Sequence, residues 1–105
     1  LWNNYIPKNF KIILINNSGG GIFRILPGQK DTKEFDTFFE TRHQLTARNL
    51  CEMHGLHYES VSEEVAFLKA CKTFYSKNEQ PQLLEVFTPR QINDTVLLNY
   101  FKFLK

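Results

Sequence analysis

Residues 11–26 read KIILINNSGGGIFRIL, a near-continuous apolar run closed by Asn16, Asn17, Ser18 and three glycines before the chain turns apolar again. In an extended conformation Phe10, Ile12 and Leu14 fall on one face while Ile13 and Ile15 fall on the other, so both faces need cover. That pattern belongs to a strand in a parallel sheet flanked by helices. Ligands bind such sheets beyond the carboxyl ends of the strands, which is where the asparagine and glycine run stands. The amide oxygen of Asn17 can coordinate a hard cation without adding charge, and Gly19, Gly20 and Gly21 leave the backbone open to close approach. N–H groups at the start of a following helix would then face an anion. The same residue types also dominate plain turns for conformational reasons, so local chemistry leaves two readings open, a phosphate and metal cradle or a flexible turn. A Walker-type loop is excluded, because no Gly-Lys-Ser/Thr follows the glycines.

Working outward, the pattern predicts alternating strands and helices. The first strand runs over about 10–16, after a break at Pro7. A short helix begins in the glycine turn and stops near Pro27 and Gly28. Residues 29–44 form a polar and aromatic loop too long for a simple connector, which points to an excursion over a ligand site or against a partner subunit. Thr46 is the expected N-cap of a helix with Ala47, Leu50, Cys51 and His54 inward, and Gly55 its left-handed C-cap. A strand follows at 56–61. Ser62, Glu63 and Glu64 open a second helix with Val65, Leu68, Cys71 and Tyr75 as its buried stripe, ending at Lys77 and Asn78. The last strand is expected at 83–88, stopped by Pro89, and a final amphipathic helix at 93–104 with Leu97, Phe101 and Leu104 inward. Strand, helix and strand units imply right-handed parallel crossovers. The expected fold is therefore a three-layer α/β/α structure with a parallel sheet of three strands.

Composition bounds the function. A chain of 105 residues, 42% hydrophobic and 14% aromatic, can bury one core. With 13 Lys and Arg against 11 Asp and Glu, the formal net charge of +2 gives no extended field to attract nucleic acid. Two cysteines with no secretory signal favour reduced thiols and a cytoplasmic setting. No apolar stretch approaches the roughly twenty residues of a membrane span. The chain opens at Leu1 without methionine, and residues 1–4 read as the last turn of a helix, so a part of a longer chain is expected. A three-stranded piece has two exposed edges, and the faces of residues 10–15 would be only partly covered. Self-association or a longer polypeptide would supply that cover.

The string Asn16-Asn17-Ser18-Gly19-Gly20-Gly21-Ile22-Phe23, followed by Leu26-Pro27, resembles the second half of the thiamine-diphosphate signature. It takes the form found in the synthases of menaquinone biosynthesis that act on 2-oxoglutarate and isochorismate. In that superfamily the signature opens with Gly-Asp-Gly, which this chain does not contain. The resemblance implies residues 1–105 to be the C-terminal part of a thiamine-diphosphate-binding domain. It implies that Asn17 gives Mg²⁺ its side-chain oxygen and Gly19 its carbonyl, with Gly20, Gly21 and the Ile22 amide close to the diphosphate. It further nominates Ile22, Phe23 and Leu26 to the substrate pocket, although ordinary packing explains the same residues. Phe38-Phe39-Glu40-Thr41-Arg42-His43 is similar to a family segment in which an aromatic pair precedes Thr-Pro-His. Arg42 stands where proline is expected, so the loop's conformation does not carry over. The matches at 54–58 and 83–86 are generic in α/β proteins.

The implied reaction is decarboxylation of 2-oxoglutarate and addition of the succinyl unit to isochorismate. No general base is evident here. In the superfamily the glutamate that activates the cofactor belongs to another domain, and the cofactor lies between subunits. The partners implied are thus the rest of the polypeptide and a second subunit, and the chain alone is expected to be inactive. His43 could orient a carboxylate substrate or be a plain loop histidine. Cys51, His54 and His57 could be written as half a zinc site, but a structural site needs a fourth ligand and Cys71 lies in another helix. Two readings remain beside the synthase: another thiamine-diphosphate decarboxylase or carboligase, and a noncatalytic phosphate-binding module.

Overall fold

Three strands, β1 (Lys11–Asn16), β2 (His57–Val61) and β3 (Gln82–Phe87), form one parallel sheet in the order β1-β3-β2. Leu83 of the central strand pairs with Ile12 on one side and Tyr58 on the other. Parallel neighbours require crossovers, and the helix α2 (Glu64–Ser76) makes the one between β2 and β3, while α1 (Arg48–His54) leads into β2. The computed structural model describes residues 1–28, 32–77 and 79–105. The chain divides into two compact units, Leu1–Asn16 with Thr46–Phe87, and Asn17–Leu45 with Thr88–Lys105.

The first unit holds the sheet, and neighbouring residues of β3 show why it has three layers. Leu83 and Leu84 point to opposite faces. Leu83 packs with Ala47, Cys51 and Leu56 on the α1 side, joined by Ile12 and Tyr58. Leu84 packs with Val61, Ala70 and Phe74 on the α2 side, joined by Phe67, Cys71 and Val86. Leu84 is fully buried, and burying one such side chain contributes roughly 1.5–3 kcal/mol. The α/β layering matches the pattern read from the sequence. Gly55 also holds the left-handed C-cap expected of it, at φ 70°, with its N–H directed to the Cys51 and Glu52 carbonyls.

Several details differ, each for a packing reason. In α2 the inward stripe is Phe67, Ala70, Cys71 and Phe74; Val65, Leu68 and Tyr75 are exposed. Both stripes have helical spacing, and the one carrying two phenylalanine rings goes to the sheet. In α1, Ala47 occupies the cap position with no side-chain cap, Thr46 is exposed, and Leu50 points out. The Ala47 N–H is taken by the Glu85 carboxylate at 3.1 Å, which ties the start of the helix to the sheet. Residues 1–4 are not helical; the Asn3 side chain accepts the Tyr5 N–H at 2.9 Å in a turn. Ile13, Leu14 and Ile15 of β1 are 42%, 37% and 58% exposed, as befits an edge strand covered only in part.

The second unit carries the glycine turn, which opens a short 3₁₀ helix at Gly21–Arg24, and the helix α3 (Asn93–Phe103), which packs against it. Its residues 32–45 are more ordered than a plain loop: Phe35–Phe39 form a single π-helical turn with Phe35 buried. Residues 29–31 of the expected loop and Asn78 of the expected helix end lie outside the described residues. In α3 the buried residue is Asp94, whereas Leu97, Phe101 and Leu104, expected inward, are 38%, 48% and 60% exposed. Among the described residues no helix is long and apolar enough to cross a membrane.

Candidate functional site

The second unit contains a cavity of about 370 Å³ lined by Asn17, Gly21, Ile22, Arg24, Ile25, Arg90, Asn93, Asp94 and Leu97. Three residues of the glycine motif, Asn17, Gly21 and Ile22, thus share one concave surface with side chains from the segment at 88–97. Ser18 holds the turn's positive φ of 61°, and the Asn17 side-chain oxygen accepts the Gly19 N–H at 3.2 Å. An amide oxygen has two lone pairs, so Asn17 keeps one beyond that bond. The Gly20 N–H is taken by the Glu40 carbonyl at 2.6 Å, and the His43 N–H by the Ser18 carbonyl at 3.1 Å. Gly21 and Ile22 open the 3₁₀ helix, where the first N–H groups have no intrahelical acceptor. Gly21 and Ile22 line the cavity, whereas Gly20 does not and its N–H is spent on Glu40.

Of the apolar residues named for a substrate pocket, Ile22 and Leu26 are 62% and 48% exposed. Phe23 is half-buried and packs edge-on against Phe39 with ring centroids 5.4 Å apart, and Phe39 in turn stacks on Phe35 at 6.3 Å. His43 is half-buried, and its Nδ1 accepts the Leu45 N–H at 3.2 Å. Among the described residues no three His, Cys, Asp or Glu side chains gather as a metal site, so Cys51, His54 and His57 form none. Asn17 and the Gly19 carbonyl are oxygen donors of the kind Mg²⁺ takes, and Mg²⁺ draws part of its octahedron from phosphates and water.

Sequence reading alone missed a charged cluster beside the turn. The Glu40 carboxylate, 1% exposed, is bonded by Arg24 through Nε at 3.2 Å and through Nη2, and by Arg90 through Nη1 at 2.7 Å. Asp36 receives Arg42 and lies within 3.4 Å of Arg24. The hydrogen bond that Arg24 donates to Glu40, working against burial, raises the Arg24 pKa, so its charge is secure. Partial desolvation pushes the Asp36 carboxyl up, but Glu40 and the charges of Arg42 and Arg90 together hold it below its ordinary range. Arg24 lies six residues after Ser18, whereas Arg90 is distant in sequence, and no local pattern joins them to Glu40.

The first unit has a second buried carboxylate. Glu85, fully buried in β3, accepts the Asn16 Nδ2 at 2.7 Å, the Tyr58 hydroxyl at 2.6 Å and the Ala47 N–H at 3.1 Å. Asn16 and Tyr58 sit on the same sheet face as Glu85, one on each neighbouring strand. Burial first, and then the bond to Glu85, pushes the Tyr58 hydroxyl pKa up. Burial and the Glu85 charge likewise raise the Cys51 thiol. Arg48 stacks 4.7 Å over the Tyr58 ring. A lone glutamate inside the apolar run Leu83 to Phe87 was the signal for this network.

No family model matches the chain. Over its whole length it is 55% identical to a 2-succinyl-5-enolpyruvyl-6-hydroxy-3-cyclohexene-1-carboxylate synthase of Christiangramia forsetii, in 105 aligned residues that make up 18% of that protein. Proteins of the same name from Flavobacterium psychrophilum and Flavobacterium johnsoniae are 55% and 53% identical over 102 residues, 97% of this chain and 18% of theirs. The chain thus spans 18% of the length of each of these curated relatives.

Proposed function

We propose that this chain, similar along its whole length to 2-succinyl-5-enolpyruvyl-6-hydroxy-3-cyclohexene-1-carboxylate synthases, is the C-terminal part of a diphosphate- and Mg²⁺-binding domain in a menaquinone-pathway synthase. The whole enzyme decarboxylates 2-oxoglutarate and joins the succinyl unit to isochorismate. The observation that carries this reading is the cavity into which the glycine turn delivers Asn17, Gly21 and Ile22 together. Thiamine diphosphate supplies the electron sink for decarboxylation when bound.

The residues of this chain bind and orient. Asn17 offers the metal an amide oxygen whose position is set by the Gly19 N–H, and Gly19 offers its carbonyl. The Gly21 and Ile22 amides open a helix, where anionic oxygens are favoured. Gly20 contributes by lying flat against the Glu40 carbonyl, which fixes the turn. Of the three apolar residues, Ile22 lines the cavity and presents apolar surface to a substrate there, while Phe23 packs against Phe39 and Leu26 lies outside the lining. Among the described residues no side chain is placed as a general base; in this reading the rest of the polypeptide and a second subunit complete the catalytic centre. Carbon dioxide release by the full-length protein with 2-oxoglutarate, isochorismate, thiamine diphosphate and Mg²⁺ tests the proposal. It should require both cofactors and be absent from the 105-residue chain alone. Turnover by the full-length protein without thiamine diphosphate would refute it.

A further inference from the structure

Glu40 lies outside the glycine motif, yet its backbone and its side chain both act on it. Its carbonyl takes the Gly20 N–H at 2.6 Å, and a Cβ added at Gly19 would stand 3.0 Å from its Cγ. Its buried carboxylate takes Arg24 and Arg90, which both line the cavity shared with Asn17 and Gly21. Asp36 also takes Arg24 Nη2 at 3.4 Å and Arg90 Nη1 at 3.5 Å, so of the five N–H donors of each arginine, Arg24 keeps those of Nη1 and Arg90 those of Nε and Nη2 beyond the two carboxylates. By net charge alone Glu40 is a handicap to an anion site, because it cancels positive potential at the wall. What it supplies is orientation: a guanidinium meets phosphate oxygens as a two-pronged fork only when its plane is held. We propose that Glu40 is a positioning residue for diphosphate binding, which fixes the planes of Arg24 and Arg90 at the cavity wall and seats the turn at Gly19 and Gly20. Both guanidinium groups then join the Gly21 and Ile22 amides in holding the anion. This role rests on the diphosphate reading of the cavity.

The full-length synthase and its Glu40→Gln variant separate positioning from simple electrostatics, because the two differ in sign. Gln keeps the size and the backbone carbonyl of Glu40 while removing its charge. Electrostatics alone then gives tighter anion binding, whereas lost positioning gives weaker binding. Calorimetric titration with thiamine diphosphate in excess Mg²⁺, and with inorganic pyrophosphate and Mg²⁺, should show Kd rising about tenfold in the variant, the order expected for losing one charge-assisted hydrogen bond. The KM for 2-oxoglutarate at saturating cofactor should stay within about twofold. Unchanged or tighter diphosphate binding overturns the role. A raised KM for 2-oxoglutarate with unchanged cofactor Kd assigns the two arginines to a substrate carboxylate and overturns it as well. Should Glu40→Gln fail to fold, Arg24→Lys and Arg90→Lys keep the charges and lose the forks; wild-type Kd in both overturns the proposal. Failure of the unaltered synthase to bind either ligand removes the diphosphate reading itself, whereas binding that survives the variant removes only the role of Glu40.

Discussion

Replacing Glu85 by alanine should be among the most damaging single changes in the first unit. The carboxylate is fully buried and serves three neutral donors, the Asn16 amide at 2.7 Å, the Tyr58 hydroxyl at 2.6 Å and the Ala47 N–H at 3.1 Å. Half-buried Tyr58 can turn to water, but the Ala47 N–H, in a residue 7% exposed, loses its acceptor outright, and Asn16, 8% exposed, loses one bond. One orphaned donor at about 1–3 kcal/mol, with the lost Asn16 bond and a small void at about 1 kcal/mol each, gives a loss of roughly 3–5 kcal/mol. Glu85→Gln keeps the shape and one strong acceptor and should cost about 1–2 kcal/mol. Urea titration followed by circular dichroism reads the difference. With a slope of about 1–3 kcal/mol per molar, the alanine variant should lose more than about 1 M in midpoint or be unfolded at the start. A loss within about 0.5 kcal/mol, typical of surface positions, would refute the reasoning.

Other expectations follow from single contacts. The Tyr58 hydroxyl pKa is raised in the folded chain, so folding holds its proton; the stability it contributes is complete below the ordinary tyrosine value of about 10 and is lost as pH rises through the higher folded value. Tyr58→Phe should remove that alkaline loss, read from urea midpoints across alkaline pH; a loss that persists unchanged in Tyr58→Phe would contradict the buried bond. Cys51, buried with its thiol pKa pushed up, should react with iodoacetamide at mildly alkaline pH far more slowly than half-buried Cys71, and the two should react alike in urea. Gly19→Ala should destabilise by about 1–3 kcal/mol, because the new methyl would meet the Glu40 Cγ at 3.0 Å and its carbonyl at 3.2 Å, and Glu40 is held in place by two arginines. An unchanged melting temperature for Gly19→Ala would mean that the turn is free to move.

The layered sheet was legible because local signals agreed: the apolar run of β1, Gly55 as a stop for α1, and Pro89 closing β3. Which face of α2 turns inward was not, since Val65, Leu68, Tyr75 and Phe67, Ala70, Phe74 both recur at helical spacing and only the sheet's shape chooses between them. The helix start was not legible either: the cap position falls at Ala47, whose N–H is held by Glu85, 38 residues away from it. Of the residues lining the cavity, Asn17, Gly21 and Ile22 stood out in the sequence as part of one motif. Arg24, Glu40 and Arg90 were not, because ion pairs between segments 16 and 50 residues apart leave no periodic trace.

The central claim, that the turn from Asn17 to Ile22 holds Mg²⁺ and a diphosphate, is tested most directly by the Mg²⁺ dependence of thiamine diphosphate binding to the full-length synthase and its Asn17→Ala variant. The account predicts that the unaltered protein binds the cofactor only with Mg²⁺ present. It predicts that Asn17→Ala needs about tenfold more Mg²⁺ or beyond for the same occupancy, as expected for losing one metal ligand. Identical Mg²⁺ dependence in the two proteins, or cofactor binding indifferent to the metal, would contradict it.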